Sequence, residues 1–139
     1  MSEVYLFGDS AAQGIVLDES DNYKVSRNGC IRLMKRNGYS IRNYAVHGYT
    51  VSQGLESFRS LKTDPGNICV IEFGGNDCDL DWDAVSQDPE HFHDGRTPLA
   101  EFRNLLQLFV RACVRTSIVL TRDRWSLQRT TRAAGPPMR

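Results

Sequence analysis

The chain has 139 residues, enough for one domain with its own core, and 40% of them are hydrophobic. Lys plus Arg and Asp plus Glu each number 17, a balance that argues against a dedicated nucleic-acid or membrane-surface binder. No apolar run reaches the roughly 18 residues of a membrane span, and Met1-Ser2-Glu3-Val4 lacks the basic-then-apolar pattern of a secretory leader, so a cytoplasmic protein without membrane contact is expected.

Val4 to Phe7 is a short apolar run ending at Gly8 and predicts a buried strand. Residues 9 to 24 read as polar and irregular. Val25, Gly29, Leu33 and Met34 recur at near-helical spacing, with Gly38 placed to close that helix. Tyr39 to Val46 predicts a second strand. Thr50-Val51-Ser52-Gln53 has the form of a capping box, and Val51, Leu55, Phe58 and Leu61 then make the apolar stripe of an amphipathic helix. Asp64-Pro65-Gly66-Asn67 reads as a turn. Ile68 to Phe73 is a third strand, dense in β-branched residues, and residues 74 to 96 form a long acidic loop. Thr97-Pro98 opens a helix as N-cap and first helical residue, with Leu99, Phe102, Leu106, Phe109, Val110 and Cys113 as its stripe. Ser117 to Leu120 is a fourth strand. Cys30, Cys69, Cys78 and Cys113 form no C-x-x-C pair and read as small buried hydrophobes in a reducing compartment.

Short apolar strands alternating with helices imply a parallel sheet in an α/β domain. Ligands of such sheets bind beyond the carboxyl ends of the strands. Three polar, glycine-bearing segments follow strands here: Gly8-Asp9-Ser10, Val46-His47-Gly48 and Gly74-Gly75-Asn76-Asp77. A serine on a turn after a strand can present its hydroxyl to a substrate and its own N–H to a reacting carbonyl; it can equally be a turn residue. Gly48 can bring a backbone N–H close to a ligand, or simply turn the chain before Thr50. The Asn76 amide can donate to a developing oxyanion, or bond its own backbone. Asp77 fits a bracing role, its carboxylate accepting backbone N–H groups of neighbouring loops.

Val4-Tyr5-Leu6-Phe7-Gly8-Asp9-Ser10 resembles the first conserved block of the SGNH/GDSL hydrolases. Asn43-Tyr44-Ala45-Val46-His47-Gly48 resembles the second block, and Gly74-Gly75-Asn76-Asp77 the third. The run Phe73-Gly74-Gly75-Asn76-Asp77-Cys78-Asp79, with Thr97-Pro98-Leu99 downstream, is similar to one bacterial subgroup of that family. The resemblance implies a three-layer α/β/α sandwich with a parallel, flavodoxin-like sheet over residues 1–121, incomplete at the C-terminus. It also implies a serine hydrolase of a small-molecule acyl ester that uses neither cofactor nor metal. In it Ser10 is the nucleophile, Ser10 N–H, Gly48 N–H and the Asn76 side chain form the oxyanion hole, and Asp9 and Asp77 support the site.

The family's last block, Asp-x-x-His near the end of a longer chain, supplies the base and its orienting acid. No histidine follows His93. Asp88-Pro89-Glu90-His91 matches that block by letter but lies between the third block and the Thr97 helix, so His91 with Asp88 is a weak candidate base. His93 reads as a solvated loop residue and His47 as lining the pocket. Residues 122–139 carry five arginines, Trp125, Leu127 and Ala-Ala-Gly-Pro-Pro, with no helix or strand period. Codons for Asp123 to Thr131 shifted by one base can encode a stretch resembling the family's continuation. The expectation is a frameshift near residue 121 and an impaired enzyme; the alternative is a short variant with a basic, disordered tail. Two rival functions stay open. One is a non-catalytic binding module. The other is a metallophosphoesterase using Asp9, Asp77, Asp79, Asp81, His91 and His93, although a two-metal site needs several fixed ligands and the opening Asp-x-His of that class is absent.

Overall fold

Strand β1 (Val4–Gly8) is buried along its whole length, because it takes a parallel neighbour on each edge: β4 (Ile41–Asn43) and β5 (Asn67–Glu72). Strand β6 (Ser117–Thr121) pairs parallel to the far side of β5, for a sheet order β4-β1-β5-β6. The structure, a computed structural model, describes residues 3–62, 67–114 and 117–121. The turn expected at Asp64-Pro65-Gly66 and the arginine-rich tail lie outside the described residues.

The helices fall on two faces for a reason of handedness. The step from β1 to β4 runs one way across the sheet, and the steps from β4 to β5 and from β5 to β6 run the other. Parallel crossovers are right-handed. Helices α1 (Ser10–Gln13) and α2 (Cys30–Arg36) therefore cover one face, and α3 (Val51–Arg59) and α5 (Leu99–Val114) the opposite one. Strand side chains alternate between faces. Tyr5, Phe7, Cys69 and Ile71 point towards Val51, Leu55, Phe58, Phe109 and Cys113 of α3 and α5. Leu6 and Val70 point the other way, towards Ala12 of α1, Ile31 of α2, Ile41 and Ala45. The expected three-layer α/β/α sandwich with a parallel sheet is what the chain forms.

Several local expectations are corrected. Residues 9 to 24 are not irregular: they hold α1 and the start of an antiparallel hairpin, β2 (Ile15–Leu17) with β3 (Tyr23–Val25). Three-residue strands are too short for a periodic signal. The acidic stretch 74–96 contains α4 (Trp82–Gln87), whose N-cap Asp81 accepts from Ala84 N at 3.1 Å. The ladder of β4 stops at Asn43, where the Asn43 side chain takes Ala45 N–H at 3.0 Å. The chain still runs beside β1, since Tyr44 N–H reaches Leu6 O at 2.8 Å and Val46 N–H reaches Gly8 O at 3.0 Å. Helix α2 begins at Cys30 rather than Val25, and Gly38 follows its end with φ +85°. Leu99 is exposed rather than part of the buried stripe of α5. Of the four cysteines, Cys69 and Cys113 are buried but Cys30 and Cys78 are exposed. The buried pair is mutually hydrogen-bonded, and that bond together with burial pushes the Cys113 thiol up.

Candidate active site

The strand order reverses between β1 and β5: the chain leaving β1 moves to one side of the sheet and the chain leaving β5 to the other. That reversal opens a crevice at the carboxyl ends of the two strands, the usual ligand position in such sheets. Gly8 at the end of β1 sits opposite Glu72 at the end of β5. An added Cβ on Gly8 would lie 2.5 Å from Ala12 Cβ and 2.7 Å from Glu72 O, so only glycine lets α1 turn this tightly back onto the strand.

Asp9 caps the four-residue α1, accepting from Ala11 N at 2.8 Å, and is itself buried. Ser10 becomes the first helical residue, half-buried, with a backbone N–H that has no partner inside the helix. Gly48 has φ +79°, a conformation that favours glycine, in the turn between β4 and α3. Asn76 ties the loops together: its Nδ2 donates to Tyr49 O at 2.9 Å and to Asp9 Oδ2 at 3.4 Å. Its amide is thus held by the residue before Ser10 and the residue after Gly48. With Val46 N–H on Gly8 O, all three polar strand ends are joined at one edge of the sheet.

Asp77 braces this edge from beneath. It is 2% exposed, and both its carboxylate oxygens accept Val51 N–H, at 3.2 and 3.1 Å. That N–H belongs to the first turn of α3, whose positive end stabilises the carboxylate. The Thr97 hydroxyl donates to Asp77 Oδ1 at 2.7 Å, and Thr97 N–H to Asp77 O at 2.9 Å. Thr97 thus holds the third loop with its side chain instead of capping α5, a role that no local pattern signals. The capping box at Thr50 forms as expected, with Thr50 N–H donating to Gln53 Oε1 at 2.9 Å.

The histidines go elsewhere. His91 Nδ1 lies 3.2 Å from Asp88 Oδ2 on an exposed stretch, and His93 Nε2 lies 2.7 Å from Asp88 O. The His47 ring packs against Tyr23 with centroids 5.3 Å apart. Among the described residues no histidine is hydrogen-bonded to Ser10. Among the same residues no three His, Cys, Asp or Glu side chains gather as a metal shell, so Asp9, Asp77, Asp79, Asp81, His91 and His93 do not form one. No helix among them is long and apolar enough to cross a membrane.

An α/β/α sandwich with its polar loops at this reversal point has the fold of the GDSL/SGNH esterases. A member of the lipolytic protein G-D-S-L family from Veillonella parvula DSM 2008 superposes with a TM-score of 0.56 at 14% identity, over 87% of this chain and 57% of that one. The SGNH-hydrolase family esterase AlinE4 gives a TM-score of 0.53 at 25% identity, over 87% of this chain and 58% of its own. Its D162A mutant matches equally well, at 24% identity. The chain thus spans a little under three fifths of the length of these esterases. No protein-family model and no curated protein sequence matches it.

Proposed function

We propose that the chain is an SGNH-type serine hydrolase acting on small acyl esters, with Ser10 as nucleophile and Ser10 N–H, Gly48 N–H and the Asn76 amide as oxyanion donors. The observation that carries this reading is the Asn76 side chain set between Asp9 and Tyr49, the chain neighbours of Ser10 and Gly48: Nδ2 gives one hydrogen to Tyr49 O at 2.9 Å, and the other, on the longer 3.4 Å bond to Asp9, is the one that turns to the oxyanion. The likeness to esterases of the same fold supports the reaction class. Asp9 and Asp77 act as supports: one positions Ser10 through the α1 cap, the other holds the Asn76 loop against α3.

In this reading the Ser10 hydroxyl attacks the ester carbonyl, and charge collects on an oxygen facing the donors, where each well-placed donor is worth several kcal/mol (roughly 3–4) in the transition state. The serine proton needs an acceptor within about 2.6–3.2 Å. No described histidine supplies one, so turnover by these 139 residues is slow. The Asp88–His91 pair reproduces the acid-to-imidazole half of a triad, but on an exposed surface. The finer assignment, to the subgroup with Gly-Gly-Asn-Asp-Cys-Asp, rests on residues 74–79. It takes residues 122–139 as read out of the family's frame; the coding DNA tests this, by whether the shifted frame runs on into Asp-x-x-His.

The enzymatic test is hydrolysis of a p-nitrophenyl ester. Any rate above buffer disappears in Ser10→Ala and falls about 10²–10³-fold in Asn76→Ala, while His91→Ala leaves it unchanged. Full turnover in Ser10→Ala overturns the assignment. The non-catalytic reading predicts instead that ester binds and is never turned over, with or without Ser10.

A further inference from the structure

The β2–β3 hairpin stands apart from the main sheet and is apolar on one side. Its register sets Ile15 opposite Val25 and Leu17 opposite Tyr23. Directly opposed residues share a face, so these four make one apolar face, with Val16 and Lys24 on the other. Leu17 is 56% exposed, Tyr23 70% and Val25 47%. Side chains of this size leave water at a gain, and a small hairpin that keeps them exposed has no core of its own to bury them. The acidic residues sit at the tip, where Asp18 folds the turn by accepting Ser20 N–H at 2.9 Å and Asn22 N–H at 3.0 Å. The face itself is uncharged.

Its position is tied to the candidate site at both ends. The hairpin leaves α1 directly after Gly14, and Ser26 N–H closes its base on Gly14 O at 2.8 Å. At the other end, the Tyr23 ring rests on His47, the residue before Gly48. The apolar face thus turns towards the segment that carries Gly48 and starts from the helix that carries Ser10. We propose that this face, with Tyr23 and Leu17 as its contact residues, is the wall that receives the apolar chain of the ester and so sets a preference for uncharged, longer-chain substrates. The proposal rests on the Ser10 and Gly48 reading above, and it concerns residues that the reading does not use.

Two ligand series test it without turnover. Alkylboronic acids from methyl to hexyl carry the chain on the acyl side and add to a serine hydroxyl; n-alcohols carry it on the leaving-group side. Binding to the purified chain is measured by calorimetry. One series gains about twofold in affinity per added methylene, half of the roughly fourfold for a fully buried one, since a wall covers one side of the chain. The Leu17→Ala/Tyr23→Ala double variant flattens that gain, Tyr23→Phe retains it, and an unchanged melting temperature in both shows that the fold is intact. Should the double variant lose its fold, Leu17→Thr alone is expected to remove about half of the gain. Which series shows the gain identifies the acyl or the alcohol side. Equal affinity at every length in both series, or a gain untouched by the hairpin variants, overturns the proposal. Ser10→Ala separates the two readings: it lowers boronic-acid affinity equally at all lengths if Ser10 is the nucleophile. If it changes nothing while the hairpin-dependent gain persists, the wall stands and the catalytic reading falls.

Discussion

The two faces of the sheet are finished in different ways. On the α3/α5 side, Phe7 stacks on Tyr44 and meets Phe58 and Phe109 edge-on, each at 5.5 Å, in a cluster of nine buried residues. On the α1/α2 side, among the described residues, the buried cluster is Leu6, Ala12 and Ala45, with Ile31, Ile41 and Val70 partly covered. The contrast follows from topology. Two crossovers run towards β6 and bring two long amphipathic helices, while a single crossover runs towards β4 and brings two short ones. One face acquires its stability from bulk; the other is shaped by the close approach of the Ala12 Cβ and the Glu72 carbonyl to Gly8, two residues before Ser10.

The sharpest test of that contrast is a truncation on each side. Phe109→Ala is expected to cost about 3–5 kcal/mol by urea unfolding, because a fully buried ring leaves a cavity among other rings. Ile31→Ala, at a half-buried position, is expected to cost about 1 kcal/mol; equal losses would mean that the faces are energetically alike. Next in size is Asp77→Ala, which strips Val51 N–H and the Thr97 hydroxyl of their acceptor and is expected to cost about 2–3 kcal/mol. Thr97→Val tests the same network for about 1 kcal/mol; no change in either melting temperature would show that the brace does not matter to stability.

On the other face, Gly8→Ala is expected to lose about 1–3 kcal/mol by overpacking against Ala12 and Glu72. It should also lower any Ser10-dependent esterase rate by more than its stability loss explains. A variant as stable and as active as the parent would break the argument that close approach sets the serine. The smallest effect is in thiol reactivity. Cys30 and Cys78 should react with a disulfide reagent in the folded protein and Cys69 and Cys113 only after unfolding, since burial keeps reagent from both of the latter and the hydrogen bond to Cys69, with burial, pushes the Cys113 thiol up. Four fast thiols would mean that the α5 face opens readily.

Local sequence determined what depends on residues a few positions apart. The apolar runs at Val4–Gly8 and Asn67–Glu72 make central strands because nothing else buries them on both sides. Thr50 and Gln53 close a capping box because both partners lie within one turn. Block-like motifs at Ser10, Gly48 and Asn76 marked the three strand ends in advance. The tertiary structure decided what links distant residues. Asn76 meets Asp9 across 67 positions, and whether its amide faces another loop or its own backbone is not encoded in Gly-Gly-Asn-Asp. Thr97 looked like a helix cap by its neighbours, yet its hydroxyl goes to a buried carboxylate 20 residues away, where a hydrogen bond is worth more than at a solvated helix end. The hairpin at 15–25 escaped because strands of three residues carry no period, and its pairing depends on the chain being returned to Gly14. Likewise Cys30 and Cys78 share their residue type with the buried pair, and their place in the fold separates them: β5 and α5 enclose Cys69 and Cys113, while the other two lie at an exposed helix start and in an exposed loop.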